Sequence, residues 1–165
     1  MADPGTIEAA LSKAEVVAAL RKALREELES VERVAAMARD EATSDETRQE
    51  GKYDTRATEA SYLARGQAWR VLELRQLVGW IERFDPTRPV TVAGVGALIE
   101  AEGARRVLFL MAPIGGASVV VGGQKVRVIS PSSPLGAAIS DLEAGDVAEV
   151  DSPRGVTEYE ILSIS

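Results

Sequence analysis

The sequence predicts an α+β protein. A long antiparallel α-helical coiled coil, residues 1–84, precedes a small, mostly antiparallel β-sheet domain with one short helix, residues 90–165. Three observations predict it. Two apolar stripes at helical spacing flank an acidic break near residues 40–56. The linker Asp85-Pro86-Thr87-Arg88-Pro89, residues 85–89, stops the helical pattern. Short β-type runs separated by glycine and proline turns then fill the rest of the chain.

In the first half, Val17, Leu20, Leu24, Leu28 (or Glu27), Val31, Ala35 and Ala38 recur three and four residues apart. Ala60, Leu63, Gln67, Val71, Leu74, Val78 and Ile81 do the same. Both stripes are narrow, as in a two-helix seam. Small residues end the first stripe and begin the second, so antiparallel pairing places thin layers near the tip and bulky ones near the base. The first helix is expected over about residues 7–42, roughly 50 Å at ~1.5 Å per residue, with Asp40 and Glu41 finishing it. Gly51 suits the turn, and Ser44 or Thr47 is a candidate cap for the second helix. Trp69, Trp80 and Phe84 are expected to pack near the base, and Lys52, Arg56 and Arg65 to lie on solvated helix faces.

In the second half, strands are expected at Val90-Thr91-Val92, Ala97-Leu98-Ile99, Val107-Leu108-Phe109-Leu110, Ser118-Val119-Val120-Val121 and Lys125-Val126-Arg127-Val128-Ile129. Gly122-Gly123 signals a tight hairpin. Pro134 to Leu142 fits a short helix, with Ser133 as its cap and proline in its first turn. Asp146-Val147-Ala148-Glu149-Val150 and Val156 to Ile164 give two more strands around the turn Ser152-Pro153-Arg154-Gly155. Arg105 and Arg106 read as exposed charges at a strand edge.

Composition narrows the chemistry. The chain has 165 residues, 45% of them apolar and 27% charged, with a formal charge of -7. That acidic balance argues against free nucleic acid as the main partner, because binding it requires neutralising phosphates. With neither cysteine nor histidine, zinc sites, Cys/His dyads and Ser-His-Asp triads are excluded. A metal here must be a hard ion held by oxygen, such as magnesium. The absence of cysteine fits a reducing cytoplasm. No apolar run is long enough to span a bilayer, and the first residues lack a signal-peptide pattern.

The C-terminal half carries a resemblance. Ile129-Ser130, then Ser133-Pro134-Leu135-Gly136-Ala137-Ala138-Ile139, then Gly145-Asp146-Val147, then Pro153-Arg154-Gly155 and Tyr159-Glu160-Ile161 occur in compact order. This run resembles the C-terminal domain of the bacterial GreA/GreB transcript-cleavage factors. That family places a long antiparallel coiled coil ahead of such a domain, whose fold is FKBP-like, so the resemblance covers nearly all of the chain.

The resemblance implies an accessory transcription elongation factor with no complete active site of its own. The globular domain would dock at the rim of the RNA polymerase secondary channel, through the Ser133, Pro134, Leu135 and Gly136 segment. The coiled coil would enter the channel and reach the RNA 3′ end. Tip carboxylates would there help to hold a magnesium ion shared with the polymerase, and a backtracked RNA would be cut. The resemblance implies no cofactor bound alone, no membrane, no free DNA and a monomer.

Five of the eleven residues from Asp40 to Glu50 are carboxylates and one is basic. With Tyr53 as anchor, an ungapped count puts the family's acidic pair on Glu46 and Gln49. A one-residue gap moves the second to Glu50, and Asp45 is an alternative for the first. Asp45, Glu46 and Glu50 are therefore the candidate catalytic and metal residues. A two-metal hydrolysis gains from such added carboxylates, since both the attacking and leaving oxygens need stabilising.

Two other functions compete. A Gre-like secondary-channel regulator would inhibit or modulate polymerase without stimulating cleavage. A prolyl isomerase would use the FKBP-like fold, but only Phe84 and Phe109 are phenylalanines, too few for an aromatic-lined proline pocket.

Overall fold

The computed structural model describes residues 10–46 and 55–165, without the side chains at 42, 44–46 and 55–61. Helix α1 runs Lys13–Glu46 and α2 Thr55–Arg83. Six strands follow: β1 Leu98–Glu102, β2 Arg106–Met111, β3 Ser118–Val121, β4 Gln124–Ile129, β5 Val147–Ser152 and β6 Gly155–Ile164. Helix α3, Pro134–Ile139, lies between β4 and β5. The fold class is the α+β arrangement expected. The chain forms two compact units, Arg21–Phe84 and a second made of residues up to Leu20 together with Asp85–Ser165.

Helix α1 begins later and ends later than its periodicity suggests. At its start, Ser12 and Glu15 form a reciprocal cap. The Glu15 amide donates to Ser12 Oγ at 3.2 Å, and the Ser12 amide and hydroxyl donate to the Glu15 carboxylate at 3.1 and 2.7 Å. These bonds hold the Glu15 carboxyl below the usual range. At the other end, Asp40 and Glu41 do not finish the helix, and Ser44 lies inside α1 instead of capping α2. Nothing between Asp40 and Glu46 breaks a helix, and Thr43 returns its hydroxyl to Arg39 O at 2.8 Å. Thr47 and Gly51 fall outside the described residues.

The helix pair is held antiparallel by a bulky seam and by charge. Leu24, Val71, Leu74, Leu77 and Ile81 are buried. Leu28, Val31, Ala35 and Ala38 are half-buried. Towards the tip the seam thins, and Leu63 is 66% exposed. Three ion pairs tie the helices across the seam: Arg25–Glu82 at 2.6 Å, Glu27–Arg70 at 2.6 Å and Glu32–Arg75 at 2.7 Å. Arg21 closes the base, donating from Nε to Ile81 O at 3.0 Å and from Nη2 to Phe84 O at 2.7 Å. A cation there satisfies carbonyls that the end of a helix leaves open. Trp80 stacks on Phe84 with ring centroids 4.8 Å apart. Trp69, expected to pack, is 66% exposed instead. Its position lies about half a turn away from the buried stripe, so the seam has no place for it.

The sheet order is β3-β4-β2-β1-β6-β5. All neighbours pair antiparallel except β2 and β4, which run parallel with Leu108 opposite Val126. The expected strand at Val90-Thr91-Val92 does not form. Val92 makes an isolated bridge to Glu143, and Ala93 N donates to Leu142 O at 2.8 Å. Gly94 and Gly96, the latter at φ 95°, then turn the chain before a ladder can extend. The β3–β4 hairpin turns on Gly122 (φ 56°) and Gly123 (φ 78°), a pair of left-handed residues that matches the twist of the strands.

One face of the sheet builds the main core from Ile99, Ala101, Phe109, Met111, Ile129 and Ile161, with Ile139 of α3. Phe109 is fully buried, which contributes about 3 kcal/mol of hydrophobic stabilisation, and meets Tyr159 edge-on at 6.0 Å. The other face buries Leu98, Leu110, Val126 and Val128. Among the described residues no helix is long and apolar enough to cross a membrane.

Candidate functional site

The Ser-Pro-Leu-Gly segment forms the entry to α3, and three of its four residues are committed to the fold. Ser133 is extended (φ -77°, ψ 153°) and caps the helix, accepting from Gly136 N at 3.0 Å. Its hydroxyl donates to Ser130 O at 2.7 Å, and its amide to the same carbonyl at 3.0 Å. Pro134 occupies the first helical turn, where its missing N–H costs nothing. Leu135 packs half-buried against the core. Gly136 is buried, and a β-carbon there would stand 1.8 Å from Ser130 O.

At the far end of α3, Ser140 Oγ donates to Gly136 O at 2.7 Å and Ser140 N to the same oxygen at 2.9 Å. Asp141 follows in the left-handed region at φ 65°. The short helix is thus fastened at both ends, which compensates for its length of six residues. Pro131, Ser132, Pro134 and Ala137 remain exposed on this turn. A rigid, mainly apolar knob is what a docking contact needs, because little entropy is lost on binding. Of the four predicted residues, Pro134 is the exposed one.

Sequence reasoning missed Ser130, the carbonyl on which Ser133 and Gly136 converge, and Ser140. The spacing Ser130, Ser133 was visible, but a carbonyl partner leaves no mark in side-chain identity. It also missed the Arg21 fork, whose partners are likewise main-chain oxygens.

The tip residues divide. Asp45 and Glu46 occupy the last turn of α1. Glu50 and Tyr53 lie outside the described residues. Among the described residues no group of three or more carboxylates gathers as a metal cage.

The family described as "Transcription elongation factor, GreA/GreB, C-term" matches residues 121–165, which run from the end of β3 through the Ser133 turn to the end of β6. Residues 121–165 are thus similar to the GreA/GreB C-terminal family. Within the chain, 37 residues are 51% identical to transcription elongation factor GreA of Maricaulis maris (strain MCS10). That match covers 22% of this chain and about a quarter of the curated relative, 24%.

Solved structures of the Gre group are also similar. The GreA factor homolog 1 (Gfh1) protein of Thermus thermophilus is 21% identical, with 89% of this chain and 95% of that chain covered at a TM-score of 0.39. A prokaryotic transcription elongation factor GreA/GreB from Nitrosomonas europaea is 21% identical, with 60% and 90% covered at a TM-score of 0.35. At those scores the superpositions carry no functional argument. The similarity to Gre factors lies in the C-terminal segment, which contains the capped Ser133 turn.

Proposed function

We propose that this protein is an RNA polymerase-binding elongation factor that stimulates cleavage of backtracked RNA. The observation that carries the reading is the GreA/GreB match over residues 121–165, joined to an antiparallel helix pair with acids at its tip. The protein is an accessory factor and not an enzyme, and the polymerase performs the chemistry.

The roles follow from the parts. The turn around Pro134 docks at the rim of the secondary channel. The helix pair, whose α1 is roughly 50 Å long at ~1.5 Å per residue, carries the tip to the polymerase active site. Asp45, Glu46 and Glu50 there supply carboxylate oxygens to a magnesium ion that the polymerase already holds. Magnesium keeps several waters and takes few protein ligands, so one or two added carboxylates suffice to bias its position. That ion supplies a polarised water and charge stabilisation for in-line attack on the phosphodiester. The tip's own task is to place negative charge beside the RNA 3′ end without contributing a nucleophile.

The test separates docking from chemistry. Purified polymerase should bind the wild-type protein and an Asp45→Ala, Glu46→Ala, Glu50→Ala triple variant alike in a fluorescence-anisotropy titration. Pro134→Glu should weaken binding by about tenfold, since burying a carboxylate without a partner costs upwards of 1.4 kcal/mol. Equal binding of Pro134→Glu would move the docking surface elsewhere, and no binding of the wild type would end the polymerase reading.

A further inference from the structure

We propose that the sheet unit carries a second binding site, a cationic cleft that takes a compact polyphosphate ligand. The cleft measures about 1100 Å³ and lies among the start of α1, the segment 86–90 and strands β1, β2 and β4. Six cationic residues line it, Lys13, Arg88, Arg105, Arg106, Lys125 and Arg127, of which the Arg127 guanidinium stands over the Phe109 ring on the core face, 5.8 Å from its centroid. Glu100 is the one carboxylate side chain among its lining residues. In a chain of net charge -7, that concentration runs against the average of the sequence.

These cations also differ from the rest in how they are partnered. On the helix pair, Arg25, Arg70 and Arg75 each hold a carboxylate at 2.6 to 2.7 Å. In the cleft, Arg106 reaches Glu100 at 3.4 Å. The other five have no carboxylate within ion-pair distance among the described residues. Asp85 acts on Lys13 and Arg88 from a distance only. Like charges gathered without counter-ions repel, and an anion placed among them removes that cost.

Lys13 is the sharpest part of the site. It is 7% exposed, yet its ammonium has a carbonyl partner, Arg88 O at 2.8 Å, and no carboxylate. An ammonium has three donors, so donors remain for a ligand in the cleft. Burial pushes its pKa down and the Asp85 charge opposes that shift, as expected for a lysine held short of an anion. The first turn of α1 lines the cleft as well, although Glu15 already offsets part of the positive end of that helix.

The chemistry selects the ligand class. Three guanidinium forks and two ammonium groups outnumber what a mono- or dicarboxylate needs. A triphosphate, with roughly four negative charges and many acceptor oxygens, matches them. The protein is acidic overall, which disfavours a long nucleic acid strand. Among its described lining residues none is aromatic, so none offers a face on which a base could stack. Recognition rests on phosphates, and the identity of an attached nucleoside matters little. This inference does not depend on the polymerase reading.

An amide NMR titration of the whole chain with inorganic triphosphate tests it. Saturable shifts at Arg105, Gly123 and Gln124 are expected, with a dissociation constant at or below about 1 mM. ATP and GTP should bind within about threefold of triphosphate, and orthophosphate far more weakly. The exposed pair Arg105→Ala, Lys125→Ala should weaken triphosphate about tenfold or more while leaving the melting temperature unchanged. Non-saturating shifts, equal binding by the double variant, or tighter binding of a single-stranded oligonucleotide at these residues would each overturn the proposal.

Discussion

A β-carbon on Gly136 would stand 1.8 Å from the carbonyl oxygen of Ser130. The same oxygen accepts the Ser133 hydroxyl at 2.7 Å and the Ser133 amide at 3.0 Å. One carbonyl therefore fixes the loop after β4 against the first turn of α3, and it sets where Pro134 meets solvent. The close approach is to backbone, which cannot swing aside as a side chain would.

Gly136→Ala should accordingly destabilise the protein by about 1–3 kcal/mol or more, through forced displacement of the Ser130–Ser133 turn. Urea unfolding followed by far-UV circular dichroism measures it. A change within about 0.5 kcal/mol would show that the turn yields cheaply.

Arg21 is the corresponding anchor of the helix pair. Arg21→Met keeps much of the aliphatic stem and loses both bonds to the end of α2. The expected cost is about 1–2 kcal/mol, with amide hydrogen exchange accelerated first around Ile81 and Phe84. Unchanged protection there would mean that the Trp80–Phe84 stack holds the base alone.

Gln67 sits in the seam with its side-chain oxygen buried and no hydrogen-bond partner among the described residues. Gln67→Leu should raise stability by about 1 kcal/mol, because an unsatisfied buried polar atom is replaced by an apolar group of similar size. A lower melting temperature would mean that the oxygen is satisfied by solvent.

Acid should weaken the fold in a defined window. Hydrogen bonding from Arg25 lowers the Glu82 carboxyl below its ordinary 4.5, Ser12 does the same for Glu15, and Thr87 lowers Asp85 below 3.8. A carboxyl depressed by folding contributes stability that is present above its unfolded value and lost as pH falls through its folded one. The melting temperature should therefore hold at neutral pH and decline below about 4.5. Glu82→Gln should make that decline shallower, and an identical acid limb would remove the Arg25 pair from the account.

The sequence made some of this legible for clear reasons. Ser133 announced a cap and Gly122-Gly123 a turn because both act locally, within four residues of themselves. The two stripes announced a helix pair because burial repeats with the helical period, and the C-terminal run announced the similarity to the GreA/GreB C-terminal domain. What stayed hidden depends on main-chain partners or on tertiary space. Val90-Thr91-Val92 has strand composition but is turned away by Gly94 and Gly96. Trp69 looks like core and lies on the outer side of α2. Helix α1 runs on past the acids expected to finish it, at least to Glu46, because nothing there breaks it. The cationic cleft draws on residues 75 or more positions from Lys13, a separation that no local pattern registers.

The tip carries the central claim, and cleavage of backtracked RNA measures it most directly. Stalled elongation complexes with 3′-labelled RNA, purified polymerase and magnesium should release short 3′ fragments faster when the wild-type protein is added. The Asp45→Ala, Glu46→Ala, Glu50→Ala variant should bind equally and release them no faster than polymerase alone. Wild-type protein that binds these complexes and leaves cleavage unchanged or slower would contradict the account.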